Sequence, residues 1–555
     1  MCRTAERIVL VERPGRIAGI YHPKSGLANL PGAMLKLLAG RGSALQSAGV
    51  VADYDACSLD GARIANWQSA LMRLAEIDGA FALASFDGRQ LLLAADPSGH
   101  RSMYYYVASD QTIIFASQLH LLLASGLVPR RLHIGMVPFF LSFAYLPGPE
   151  TLVEGVRVLP AGSALRADSS GVAISPFWRL PAESTSFKSE EILRVALRST
   201  LEAAVQRALP EPDAPVGAFL SGGVDSSLVL ALMGQLHPGP LRSWSVAFGP
   251  GHANELAFSE AVARHCNCPQ EVVEILPEHI RADFDRTVHA LSEPNGDPLT
   301  VPNFRMFARA AETGIVLNGE GGDPCFGGPK NAPMLLAELL GDGDEDGDAF
   351  FRERCYLRAH LKCYDELPHM LNPELAESLA SHPLEKFVQG WFEDERWSSY
   401  LNRLIAVNIA FKGAHHILPK VDHLGAPFGV CARSPLFDRR VVDFSFQIPA
   451  QLKRNGAIEK YLLKAAVRDL LPAQIIDRPK SGMMVPVEAW FQGPLLGWAK
   501  ERLLDSLASY NVIRKPWMEA LLAGKLGGLR PRRGVKIWLL LTLESWLRGA
   551  GMEKA

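Results

Sequence analysis

The chain has 555 residues, with 57 Lys and Arg against 59 Asp and Glu, and 48% hydrophobic against 21% charged residues. That apolar content excludes a disordered polypeptide, since it can offset chain entropy, and a formal net charge of −2 leaves no electrostatic footprint for nucleic acid. Eight irregularly spaced cysteines are too sparse for a disulfide scaffold and predict reduced thiols in a cytoplasmic protein.

The first residues, MCRTAERIVLVERPGR, are charged throughout and lack the apolar core of a signal peptide. Apolar runs at 80–86, 90–94 and 112–116, separated by turn signals at Asp87-Gly88 and Pro97-Ser98-Gly99, predict a mainly β region to about residue 175. Residues 111–129 and 134–149 are apolar, but polar residues interrupt the first and Pro138, Pro147 and Pro149 the second. Both predict buried strands and short helices, with no membrane span. Pro176, Pro181 and the Ser/Thr residues around them mark a linker at 176–190, leaving domains at 1–175 and 191–555.

After a helical pattern ending near Ala208, the chain changes to strand–turn–helix units. Strands are predicted at 216–220, 241–248, 272–275 and 315–317, with helices from about Asp225 and over 255–266 and 302–312. This alternation implies a parallel sheet with right-handed crossovers, whose ligands sit at the carboxyl ends of the strands. From about Pro329 onward the pattern is mostly helical.

Two glycine-rich turns fall at that edge. Ser221-Gly222-Gly223-Val224-Asp225-Ser226-Ser227 follows a strand and opens a helix. Its backbone N–H groups, hydroxyls and helix N-terminus suit a phosphate, although the same pattern also serves as a plain helix-capping turn. It lacks the Gly-Lys-Ser/Thr of a Walker A loop. A carboxylate inside a phosphate loop repels the ligand unless it holds a cation, so Asp225 reads as a Mg²⁺ ligand. The second turn, 319–328, supplies Asp323 from another strand end, and two such carboxylates suit Mg²⁺ on the phosphates of ATP.

Two weaker signals stand apart. Residues 342–353 place Asp342, Asp344 and Asp346, Gly347 and Glu353 at calcium-loop positions, but Ala349 stands where a branched apolar residue is usual, and a solvated acidic connector explains the run as well. His265 and Cys266-Asn267-Cys268 have no second cluster at zinc spacing and read as a pair at a helix end.

The motifs resemble those of the asparagine synthetase family over most of the chain. SGGVDSS is similar to the pyrophosphate loop of ATP-pyrophosphatases. Residues 144–162 resemble the family's inter-domain segment, and Glu293-Pro294 with Asp297-Pro298 resemble D-E-P-x-x-D-P, Ser292 taking the first place. Residues 319–328 resemble G-E-G-x-D-E-L-F-G-G, departing at Pro324-Cys325. Lys420-Val421-Asp422, Arg433-Ser434-Pro435-Leu436-Phe437-Asp438, Glu459-Lys460 and Arg478-Pro479-Lys480-Ser481-Gly482 continue the match in order.

The resemblance implies an α/β protein: a shortened amino-terminal sandwich of the N-terminal-nucleophile type, then an ATP-pyrophosphatase parallel-sheet domain with a helical C-terminal part. It implies that a carboxylate attacks the α-phosphate of ATP, that pyrophosphate leaves, and that a nitrogen nucleophile displaces AMP to form an amide. Ser221, Gly222, Gly223, Ser226, Ser227, Val246, Gly319 and Gly321 would contact ATP, and Asp225 and Asp323 would hold Mg²⁺. Lys460 matches the lysine that stabilises transition-state charge, although alone it would read as a surface lysine on an amphipathic helix. Glu320 matches the acid of the G-E-G turn, positioning substrate or accepting a proton, and Arg433 an anion or substrate contact.

The amino-terminal match breaks where the chemistry would start. Glutamine-dependent members begin Met-Cys-Gly-Ile, and the freed amine of that Cys assists its thiol. Here Met1-Cys2 is followed by Arg3-Thr4, and the stretch resembling the family start is 15–21, with Ala18 in the cysteine place. The N-G-E-I-Y-N glutamine-binding segment is absent, and the chain passes almost directly to the later strands at 78–82 and 96–100. The expectation is an ATP-dependent, AMP-forming amide ligase without glutamine hydrolysis, as in β-lactam synthetases and lasso-peptide cyclases, acting on a small-molecule or peptide carboxylate and an amine. A folded arm bringing Cys2 to the old site, a glutamine-hydrolysing asparagine synthetase and a non-catalytic nucleotide-binding scaffold are the alternatives. A tRNA-thiolating pyrophosphatase is disfavoured, since no basic stripe or paired catalytic cysteines occur.

Overall fold

The computed structural model describes residues 16–38, 42–59, 62–64, 66–186, 188–340, 349–479, 482, 484–526 and 533–554. Twelve strands build two stacked sheets before residue 177: β1 (Arg16–His22), β2 (Gly26–Ala28), β3 (Gly42–Leu45), β4 (Gly49–Leu59), β5 (Ala62–Arg63), β6 (Asp78–Phe86), β7 (Leu91–Ala95), β8 (Tyr104–Val107), β9 (Ile113–Ala116), β10 (Val156–Val158), β11 (Ser163–Asp168) and β12 (Gly171–Pro176). One sheet runs β10-β8-β9-β1-β2 with β3 on β1; the other runs β12-β11-β7-β6-β4-β5. Alternation along the strands sends Ile17 and Tyr21 of β1 into the space between the sheets, where they meet Val51, Leu91, Leu93 and Phe115. Ala18 and Ile20 point the other way, into a second apolar cluster shared with the later part of the chain.

The predicted strands 80–86, 90–94 and 112–116 correspond to β6, β7 and β9. Between 15–21 and 78–82, however, the chain does not run straight on. It forms β3 and the eleven-residue β4, paired with β6 through a bulge at Asp55/Ser58.

After the helix Glu190–Ala208 come β13 (Val216–Phe219), β14 (Leu241–Ala247), β15 (Gln270–Glu274), β16 (Ile315–Leu317) and β17 (Cys431–Arg433). All are parallel neighbours in the order β15-β14-β13-β16-β17. The chain enters at the centre, builds outward to β15, then returns to the other side of β13. The reversal therefore lies between β13 and β16, the crevice that binds ligands in open parallel sheets. Both glycine-rich turns leave from these two strands.

The sequence reading missed β17, which lies inside the region taken as helical; three residues are too few to show a period. Helices cover most of the remainder, ending in the buried Arg533–Gly549. Among the described residues no helix is long and apolar enough to cross a membrane. The acidic run 342–348 lies outside the described residues, and Glu353 is buried in the helix Phe351–Ala359. His265 bonds to the Leu470 carbonyl at 3.0 Å, and Cys268 Sγ lies 3.5 Å from the Pro269 carbonyl.

Candidate active site

The first turn is shaped by its own hydroxyls. Ser221 N–H donates to Ser226 Oγ at 3.2 Å, Gly223 N–H to Ser221 Oγ at 3.3 Å, and Ser226 Oγ to the Gly223 carbonyl at 3.3 Å. Gly222 has φ +74°, and a Cβ there would lie 2.6 Å from Ser259 N. The helix Val224–Leu236 follows at once, so its unpaired N–H groups and positive dipole end face the crevice.

The second turn packs onto that helix start. A Cβ on Gly319 would come within 2.6 Å of the Asp225 carbonyl carbon, so only glycine permits the approach. Beside it Asn318 organises the turn: its side-chain Oδ1 accepts from Glu320 N–H at 3.0 Å and Ser434 Oγ at 2.9 Å, and its backbone N–H donates to the Arg433 carbonyl at 3.0 Å.

Lys460 joins the two turns. It lies just before the short helix Tyr461–Ala466 with φ +54°, an uncommon left-handed setting for a side-chain-bearing residue. Its ammonium is buried and paired with Asp225 Oδ2 at 2.5 Å and with Asp323 Oδ1. Burial works against this charge, but the two carboxylates overcome it and hold the ammonium above the usual lysine range. The surface-lysine alternative is thereby overturned.

A cavity of about 630 Å³ opens over these groups. Ser221, Gly223, Asp225, Ser226, Val246, Gly319, Glu320, Gly321 and Asp323 line it. Gly222, Ser227 and Lys460 stand behind that lining rather than on it, with the Ser227 side chain fully buried. Farther round, Tyr145 stacks on His416 at 4.9 Å, and Lys420 Nζ pairs with Asp297 at 2.8 Å. Burial opposes ionisation of Asp297, while Lys420 and His416 drive its pKa below the usual carboxylate range.

Arg433 is a correction. Its guanidinium is not on the cavity; Nη2 and Nε grip Asp55 of β4 at 2.7 and 2.8 Å, and Nη1 donates to the Ala208 carbonyl at 2.7 Å. It joins the sandwich to the parallel sheet, with Nε and both terminal nitrogens already engaged. Arg101 does likewise nearby, pairing with Asp53 at 3.2 Å and with Asp422.

The residues present fit ATP with Mg²⁺. Asp225 Oδ1 is buried without a hydrogen-bond partner among the described residues, a costly arrangement that a cation would relieve. The glycine-permitted approach and the helix N-terminus supply the anion cradle.

A family model described as asparagine synthase matches residues 196–548, and one described as glutamine amidotransferase domain matches residues 64–178. The chain belongs to the asparagine synthase family. Among curated family relatives, it is 24% identical over 503 residues to asparagine synthetase [glutamine-hydrolyzing] 1 of Bacillus subtilis, covering 84% of this chain and 76% of that one. It is 26% identical over 511 residues to a putative asparagine synthetase [glutamine-hydrolyzing] of Mycobacterium tuberculosis, covering 85% and 77%. A third, amidase chyE of Penicillium rubens, is 24% identical over 490 residues, covering 76% and 72%. Family membership makes this an ATP-dependent ligase-type enzyme acting on small molecules.

Sequence reasoning missed the cavity residues Tyr145, Lys330, Lys412 and His416 as site residues. Tyr145 lay within a quoted motif; the other three carried no motif signal.

Proposed function

We propose that the protein is an AMP-forming amide ligase that does not hydrolyse glutamine. The observation that carries this reading is Ala18. It sits in the interior of β1, hydrogen-bonded on one side to β9 opposite Ala116 and on the other to β3 beside Ala44. Its side chain is fully buried among Ile20, Ala116 and Leu119. A methyl there supplies no nucleophile, and a mid-strand peptide nitrogen supplies no free amine to activate one. On β4, Asp53 and Asp55 are held in ion pairs to Arg101 and Arg433. The sandwich, residues 1–175, then serves as a fixed partner of the synthetase part, residues 191–555.

In this reading Ser221, Gly223, Ser226 and the start of the helix Val224–Leu236 cradle the phosphates of ATP, and Val246 with Gly319 and Gly321 shapes the nucleotide's surroundings. Asp225 and Asp323 are the Mg²⁺ ligands; magnesium, when bound, would neutralise charge on the departing pyrophosphate. Lys460 stabilises the same developing charge, its position fixed by the two carboxylates. Glu320 faces the acceptor side, where it orients the amine or takes its proton.

The test is a screen of carboxylates, including amino acids, β-amino acids and peptides, with ATP and Mg²⁺. Carboxylate-dependent exchange of labelled pyrophosphate into ATP, with oxygen from the carboxylate appearing in AMP, is the expected outcome. Release of ADP and phosphate instead would refute the adenylation reading.

A further inference from the structure

Lysines on the cavity differ in how their charge is met. Lys420 is neutralised by Asp297 at 2.8 Å. Lys412, in the wide helical segment Asn408–Ile417, makes no ion pair or hydrogen bond with the described residues, and neither does Lys330 in the turn Pro329–Asn331. Asn408 Nδ2 donates to Asn331 Oδ1, and Asn331 Nδ2 to the Gly328 carbonyl, both at 3.2 Å. These bonds tie the two lysine-bearing elements to the end of the turn that carries Asp323. Both lysines line the same cavity as Asp323 and Glu320. Two ammonium groups held together without a carboxylate partner are unfavourable until an anion arrives. The effect is visible on Lys412: burial first, then Lys330, push it down to about 7, against partial support from Asp323, Glu320 and Asp297.

The geometry points to Lys412, with Lys330 beside it, as a second phosphate-binding element of this cavity, holding the terminal phosphates of ATP and the pyrophosphate derived from them. The assignment rests on the ligase reading and adds residues outside the glycine-rich turns. An anion of the carboxylate substrate has the same chemistry, and the test separates the two sources.

Titration calorimetry on the full chain with Mg·ATP, Mg·pyrophosphate, AMP and aspartate decides. Lys412→Met and, separately, the exposed Lys330→Met should each weaken Mg·ATP and Mg·pyrophosphate by about tenfold or more, the loss of one charge-assisted contact. AMP, which lacks the terminal phosphates, should bind unchanged. Lys412→Arg should restore most of the loss. At pH 8 Lys412 is mostly neutral in the empty cavity, so Mg·ATP binding should take up about one proton, read from buffers of different ionisation enthalpy. At pH 6 the lysine is already charged and the uptake should vanish, as it should at pH 8 in Lys412→Met. Unchanged phosphate affinity, equal weakening of AMP, or an effect confined to aspartate would overturn the assignment. Wild-type protein that binds no Mg·ATP would instead overturn the ligase reading itself.

Discussion

Replacing Arg433 with alanine removes a guanidinium whose Nε and both terminal nitrogens bond to Asp55 and the Ala208 carbonyl. Asp55 is then left buried without its ion-pair partner, with only the Cys431 thiol at 2.8 Å and the field of Arg101 to meet its charge. Breaking a buried pair from one side typically costs about 3–5 kcal/mol, more than the pair contributes over an apolar substitute. The cost should fall locally, because Arg433 ends β17 and its carbonyl accepts from Asn318 N–H. Native-state hydrogen exchange at Asn318 and along β4 reads it directly; 3–5 kcal/mol is on the order of 100- to 4,000-fold faster opening. The double replacement Asp55→Ala/Arg433→Ala should be less damaging than the sum of the single ones by at least about 1.5 kcal/mol. The pH sign is fixed by Asp55. Burial would raise its pKa, but Arg433 and Arg101 hold it far below the usual carboxylate range. Its stabilisation is therefore complete above the unfolded value of about 3.9 and is lost only as pH falls toward the folded one, so it persists at neutral pH. If Arg433→Ala left exchange at Asn318 and β4 unaltered while abolishing substrate binding, the clamp would be refuted and the substrate-contact role restored.

Gly319→Ala should lower Mg·ATP affinity at least tenfold in calorimetry, since its methyl would meet the Asp225 backbone at 2.6 Å and push the turns apart. Asp225→Asn should abolish magnesium-dependent ATP binding while leaving AMP affinity within about threefold, a contrast that fluorescence titration can resolve. Lys460→Met leaves Asp225 and Asp323 facing each other without their cation; it should reduce pyrophosphate exchange by at least about 100-fold. Burial pushes Glu293 up to about 8, and its Oε1 has no hydrogen-bond partner among the described residues. The folded protein thus keeps a proton that the unfolded chain releases from about pH 4.3, so stability falls as pH rises from there to about 8. Glu293→Gln should flatten that decline and raise the melting temperature at pH 7.5; an unchanged pH profile would count against it.

The crevice was legible because its parts are short-range signals. An apolar strand, a serine-glycine turn and a helix follow one another within 216–236, and the strand at 315–317 runs into a second glycine-rich turn, so the edge and its carboxylates could be placed from order alone. β17 was illegible because Cys431-Ala432-Arg433 becomes a strand only through pairing with β16. The partner of Arg433 was equally hidden: the motif locates the arginine, but Asp55 lies 378 residues away on another sheet. Lys460 was placed by resemblance, yet its burial could not be read, since the six-residue helix after it is too short to show which face is covered. Lys412 gave no signal at all, because what marks it is spatial: no described residue pairs with it.

A synthetase without a glutaminase should leave glutamine untouched. The decisive experiment incubates purified protein with amide-labelled glutamine, with and without Mg·ATP. No release of glutamate or labelled ammonia above the protein-free rate is expected in either condition; sustained release of glutamate would show a working glutaminase and overturn the proposal.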